Sequence, residues 1–134
     1  MTSGYKKLKT PIEMTTKEIL DFYYKGFAEK ANWEDVIADD FEYIGGDMTK
    51  SNPIVGKAEY IEVIKRFSRV FETMTVQEMI IQDDRACVIG NYNFHFPNGQ
   101  KINGNVSEHW TIKNEKLQTL RIYFDTFTFA INIK

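Results

Sequence analysis

The chain reads as an α+β domain, helices first and antiparallel strands after, and three features of the sequence predict it. Thr15 and Glu18 form the capping box of a helix start, and the apolar residues behind them recur at 3.6-residue spacing. After Thr73 that spacing gives way to alternation, the period of a half-buried strand. Pro97, Asn98 and Gly99 then break the alternation with a hairpin turn, Asn-Gly being favoured where the central residues need positive φ. Helices followed by a meander of strands place the helices on one face of a strongly curved sheet.

Each element follows in order. Residues 1–14 have no usable period and read as a loose lead-in, leaving 15–134 as one domain. The first helix runs to about Lys30 with a stripe of Ile19, Phe22, Tyr23, Gly26 and Phe27. Asn32 is a fair N-cap for a short second helix over 33–38, closed by Asp39 and Asp40, which read as cap and turn residues rather than a catalytic pair. Residues 41–44 form a short strand, and 45–56, rich in Gly, Ser, Asn and Pro, form the longest loop. A third helix over 57–72 buries Tyr60, Ile61, Ile64, Phe67, Val70 and Phe71 and turns Lys65, Arg66 and Arg69 to solvent. Strands then cover 74–82, 86–96, 101–113 and 117–133, with turns at Asp83-Asp84 and Asn114-Glu115. The expectation is three N-terminal helices on a curved, mainly antiparallel sheet, with Phe22, Trp33, Phe67 and Phe71 buried.

Composition narrows the function. The chain has 134 residues, 43% hydrophobic and 14% aromatic, enough for one core without staples. Cys87 stands alone and only His95 and His109 accompany it, so neither a disulfide framework nor a Cys/His metal site is expected, and no cofactor. Seventeen basic against nineteen acidic residues, net −2, leave no electrostatic footprint for nucleic acid or an anionic membrane. No apolar run reaches the roughly 20 residues of a membrane span, and the polar first ten residues lack a signal-peptide core, so a cytoplasmic location is expected. The sequon at Asn105 is then a chance match.

Four stretches carry a family resemblance: Trp33 with DVIADDF at 35–41, Gly56 before the third helix, SEHW at 107–110, and RIYFD at 121–125. Together they resemble the SnoaL-like branch of the NTF2-like superfamily, alongside ketosteroid isomerase, limonene epoxide hydrolase and polyketide cyclases, over about residues 15–129. The resemblance implies a conical shell open at one end, with a largely apolar cavity for a small apolar or carbonyl-bearing ligand. It implies cofactor-independent acid/base chemistry of an isomerase, cyclase or hydrolase, or else a non-catalytic module for ligand binding or protein interaction. Relatives of this fold often pair through the outer sheet face. Strands that read as apolar on both faces therefore lead to an expected homodimer.

Among candidate residues, Asp125 shares a strand face with Arg121, Tyr123 and Phe127 by alternation. If that face lines the cavity, burial raises its pKa and suits it to move protons. It also falls on the acid/base aspartate of SnoaL-like cyclases. The other reading is a surface carboxylate near Arg121. Glu108 shares a face with Trp110 and Ile112. It resembles the acid of an acid-His-aromatic run in ketosteroid isomerases that stays protonated and donates to the substrate oxyanion. Tyr24 falls on that family's oxyanion tyrosine, whereas its general-base position falls near Gly45, where no acid stands; Asp47 lies two residues on. Trp33, Phe41, Tyr43, Trp110 and Tyr123 are expected to shape the pocket. His95 and His109 read as structural, His109 facing away from Glu108, and Cys87 as inert packing.

Overall fold

The computed structural model describes residues 13–46 and 52–133. Most of the expected lead-in, the middle of the long loop and Asp47 lie outside them. Helix α1 (Thr16–Glu29) starts at the capping box: Glu18 N–H donates to Thr15 Oγ1 at 3.1 Å, and Thr15 N–H to Glu18 Oε1 at 2.9 Å. It ends at Lys30 in the left-handed region, φ 62°. Gly26 permits the chain to fold straight back, because a Cβ there would sit 2.6 Å from the Ala31 carbonyl oxygen. The buried arc is Ile19, Leu20, Tyr23, Tyr24, Gly26 and Phe27. Phe22 lies on its flank and is 38% exposed, so the inward face is centred one residue later than the sequence stripe suggests.

Instead of a second helix there is one 3₁₀ turn, Trp33–Val36, and strand β1 (Ile37–Ile44) begins at once. Asn32 takes a left-handed conformation and caps nothing with its side chain; Asp39 and Asp40 are exposed strand residues. Strand β2 (Ile54–Val55) pairs with β1 inside the long loop. Helix α2 (Lys57–Phe67) is shorter than expected, since strand β3 (Phe71–Gln82) already starts at Phe71. Phe71 and Trp33 are buried, and Phe67 is half-buried against the core.

Strands β4 (Arg85–His95), β5 (Lys101–Lys113) and β6 (Lys116–Tyr123) follow. The sheet order is β2-β1-β6-β5-β4-β3, antiparallel throughout except between β1 and β6. The last segment differs from the expected long strand: after Tyr123 the chain turns into helix α3 (Thr126–Asn132). The helices therefore stand at the start, middle and end of the chain rather than all at the N-terminus, and the fold is α+β and cone-like.

Alternation sorts the sheet into two unlike faces. Val88, Gly90, Tyr92 and Phe94 of β4 and Val106, Glu108, Trp110 and Ile112 of β5 point inward and are buried. The outer face is not apolar, contrary to expectation. There Asn91, Asn93, Asn103 and Asn105 bond across strands at 2.7–2.9 Å, with Ser107–His109 and Thr111–Thr119 pairs beyond them.

Candidate functional site

Between the helices and the inner sheet face lies an open-ended cavity of about 330 Å³. That volume falls at the lower end of the roughly 300–1,000 Å³ typical of small-molecule sites. Its walls are mostly aromatic and aliphatic, from Phe27 on α1, Ile64 and Phe67 on α2, Phe94 on β4 and Ile122 on β6. Into this apolar wall β5 sets one acid. Glu108 is 5% exposed because its strand position faces in, between Val88 on β4 and Ile122 on β6.

Two phenols hold the carboxylate. The Tyr24 hydroxyl on α1 donates to Glu108 Oε1 at 2.7 Å, and the Tyr92 hydroxyl on β4 donates to Oε2 at 2.7 Å. Trp110 Nε1–H in turn donates to the Tyr24 oxygen at 2.8 Å, fixing the direction of that hydroxyl. Every donor points toward the acid, the arrangement that suits a carboxylate. Burial opposes it: desolvation raises the Glu108 pKa to about 7, while the two phenol hydrogen bonds pull it down. Both protonation states are therefore accessible near neutral pH. Desolvation likewise raises Tyr24 and Tyr92 well above 10, so they remain O–H donors.

A second phenol pair lies on the same wall. The Tyr23 and Tyr60 hydroxyls are 2.7 Å apart, both residues are buried, and both line the cavity. Desolvation raises their pKa values too, so each keeps its proton. Tyr43 joins the wall, its ring 4.9 Å from that of Tyr60.

The structure joins Tyr24, Glu108 and Trp110 in one hydrogen-bonded chain and places other candidates elsewhere. Asp125 is exposed and serves as N-cap of α3, accepting from Thr128 N–H at 3.0 Å and Thr128 Oγ1–H at 2.7 Å. Those bonds lower its pKa, where a cavity acid was expected to have it raised. A solvated cap that accepts local hydrogen bonds has no part in cavity acid/base chemistry. Tyr123 is 57% exposed on the outer face, its ring 5.6 Å from His109, because Leu120 and Ile122 take the inward positions of β6. Trp33 and Phe41 are buried behind Tyr60, with ring centroids 5.7 and 4.7 Å from it; they support the wall without forming it. Trp110 also lies behind the wall.

Outside the cavity, His109 faces outward and its Nε2 lies 2.9 Å from Ser107 Oγ, with Cys87 Sγ 4.0 Å from the same nitrogen. His95 sits 3.7 Å from Glu72. Asp40 is held by Gln118 at 3.0 Å, which lowers its pKa. Arg66, expected on a purely solvated face, is exposed but belongs to the cavity lining. Among the described residues no three His, Cys, Asp or Glu side chains converge as a metal site requires.

Sequence reasoning missed Tyr23, Tyr60 and Tyr92 as functional residues. Tyr92 shares the inward parity of Val88, and the intervening Gly90 leaves its ring room to reach the acid. A Cβ on Gly90 would stand 2.7 Å from Tyr92 Cε1 and 3.4 Å from Glu108 Oε1.

Comparison with known proteins adds the family. The model of the SnoaL-like domain matches residues 22–119. No curated protein matches the chain significantly. Among solved structures, TerC co-crystallized with polyporic acid superposes with a TM-score of 0.77 at 23% identity, covering 88% of this chain and 97% of that one. An NTF2-like protein from Burkholderia thailandensis gives 0.78 at 16% identity, covering 90% and 98%. A provisionally assigned SnoaL-like polyketide cyclase from Jannaschia sp. CCS1 gives 0.76 at 15%, covering 96% and 97%. At these identities the likeness is one of fold.

Proposed function

The chain belongs to the SnoaL-like domain family of the NTF2-like superfamily, and from that premise we propose that it binds a small, mostly apolar molecule in its cone cavity, in the cytoplasm, with Glu108 as acid/base group. The observation that carries this reading is the buried Glu108 carboxyl on an aromatic wall, with a pKa of about 7. Each of its oxygens accepts one phenol proton and keeps a further lone pair. A group poised near the working pH can take a proton from an acidic C–H or O–H and return it elsewhere, and this needs no cofactor. Tyr24 and Tyr92 then act as positioning residues, orienting the carboxylate and tuning its basicity. Tyr43 contacts the ligand from the wall. TerC, co-crystallized with polyporic acid, supports an organic ligand in this fold.

The test uses 2-tetralone, an apolar ketone with acidic C–H bonds. In D₂O the protein is expected to speed its deuterium uptake above the buffer rate, and Glu108→Gln to return it to that rate. Equal uptake with both proteins overturns the acid/base role. One observation favours a second, non-catalytic reading: both Glu108 oxygens are already engaged by phenols, as in a purely structural network. Saturable binding without exchange selects that reading. A homodimer through the outer sheet face is also proposed, with the asparagine, serine and threonine ladder forming a hydrogen-bonded rather than apolar contact. A monomer by light scattering at micromolar concentration removes it.

A further inference from the structure

Among the described residues lining the cavity, Glu108 and Arg66 carry the only charges, and they differ in setting. Glu108 is buried, whereas Arg66 is exposed and so stands at the open end. Arg66 has no ion-pair partner among the described residues: the neighbouring Lys65 takes Glu62 at 3.1 Å, and the other pairs involve Lys17, Lys25 and His95. A guanidinium without a carboxylate, at the rim of an apolar pocket, is a receptor for an anionic group.

The inner wall makes a second demand. In the Tyr23–Tyr60 pair one hydroxyl donates to the other, so one O–H proton is left over whichever way the pair is oriented. That proton has no acceptor among the described residues, and both residues are buried and line the cavity. A buried donor left unmatched is costly, so a ligand oxygen that accepts from it is favoured over a C–H surface of the same shape.

We propose that the ligand is an amphipathic organic acid: a flat apolar ring system with its anionic group at Arg66 and an acceptor oxygen, of ketone or quinone type, at the Tyr23–Tyr60 pair. The proposal rests on the cavity being a ligand site, and goes further by naming the chemistry at each end. It does not depend on Glu108 being catalytic.

Three probes of one shape test it: 9-oxofluorene-2-carboxylate, its neutral 2-carboxamide, and fluorene-2-carboxylate, which lacks the ketone oxygen. By calorimetry the oxofluorene carboxylate is expected to bind about three- to tenfold tighter than either relative, the scale of one solvent-exposed ion pair or one neutral hydrogen bond. Arg66→Gln is expected to erase the preference for the acid over the amide and leave the ketone preference. Arg69→Gln, a change in the turn after α2 and away from the lining, is expected to erase neither. Tyr23→Phe and Tyr60→Phe each leave one free O–H and keep the ketone preference, while the double variant loses it. The double change conserves volume and strands no polar group. Raising the salt concentration is expected to shrink only the acid preference. Equal binding of all three probes, untouched by these variants, overturns this proposal and leaves the cavity reading standing. Failure of all three to bind overturns both.

Discussion

Tyr92 reaches Glu108 across the bare backbone of Gly90, its hydroxyl 2.7 Å from Oε2. A methyl group at Gly90 would stand 2.7 Å from Tyr92 Cε1, so the glycine makes this contact possible. Gly90→Ala is therefore expected to push the ring aside, at a cost of about 1–3 kcal/mol, the usual penalty of overpacking. Denaturant unfolding measures the cost. A carboxyl titration followed by NMR should show the Glu108 pKa rising, as expected when a lowering hydrogen bond is lost. An unchanged pKa contradicts the account.

The raised pKa of Glu108 has a definite sign in stability. Below about pH 4.5 folded and unfolded chains both hold the proton. Between 4.5 and about 7 only the folded chain holds it, so this group makes stability fall as pH rises. Above 7 the penalty is complete, and the shift from 4.5 to about 7 corresponds to roughly 3 kcal/mol. Glu108→Gln, an analogue of the neutral acid, is expected to match the parent protein below about pH 4.5 and exceed its stability at pH 8. Urea midpoints for the two proteins across that range check the difference, in which the other titrating groups cancel.

Tyr24→Phe and Tyr92→Phe are not equivalent. Each removes one phenol bond to Glu108 and should raise its pKa. Tyr24→Phe also strands the buried Trp110 Nε1–H, which adds about 1–3 kcal/mol of destabilisation. The larger loss in urea unfolding should therefore belong to Tyr24→Phe. Equal losses would mean that the indole finds another acceptor.

Asp125→Ala is expected to fray α3 by removing the acceptor of Thr128 N–H, while Asp125→Asn keeps the cap. The lowered pKa means the carboxylate favours the folded state above its unfolded pKa, and that contribution fades as pH falls through the lower folded value. Neither substitution should alter the pH dependence assigned to Glu108. Amide hydrogen exchange in 126–132, compared between the two variants, gives the answer.

How far the sequence reached differs from element to element. The capping box of α1, the meander from β3 to β6 and the inward parity of Glu108 and Trp110 were legible, because caps and alternation are set by residues a few positions apart. The end of the chain reads as strand but forms helix α3. Asp125 is a good N-cap, and Phe124 and Phe129 meet across it at 5.7 Å as a hydrophobic staple, yet the β-propensity of Thr126, Phe127, Thr128 and Phe129 concealed the helix. The inward face of β6 also belongs to the other parity: Leu120 and Ile122 line the cavity, whereas Tyr123, in step with Asp125, is exposed.

Sequence alone determined the start of α1, the meander from β3 to β6 and the shared strand face of Glu108 and Trp110. Only tertiary structure decided the chemistry. Tyr24 is 84 residues from Glu108 in sequence and Tyr92 is 16 away, and neither spacing encodes a hydrogen bond. The pairing of Tyr23 with Tyr60 and the place of Arg66 at the cavity mouth depend on how α1 and α2 lie over the sheet. A pKa is a property of surroundings. The same carboxyl titrates near 4.5 in water and near 7 here, because α1, β4 and β6 pack around it and take away its solvent.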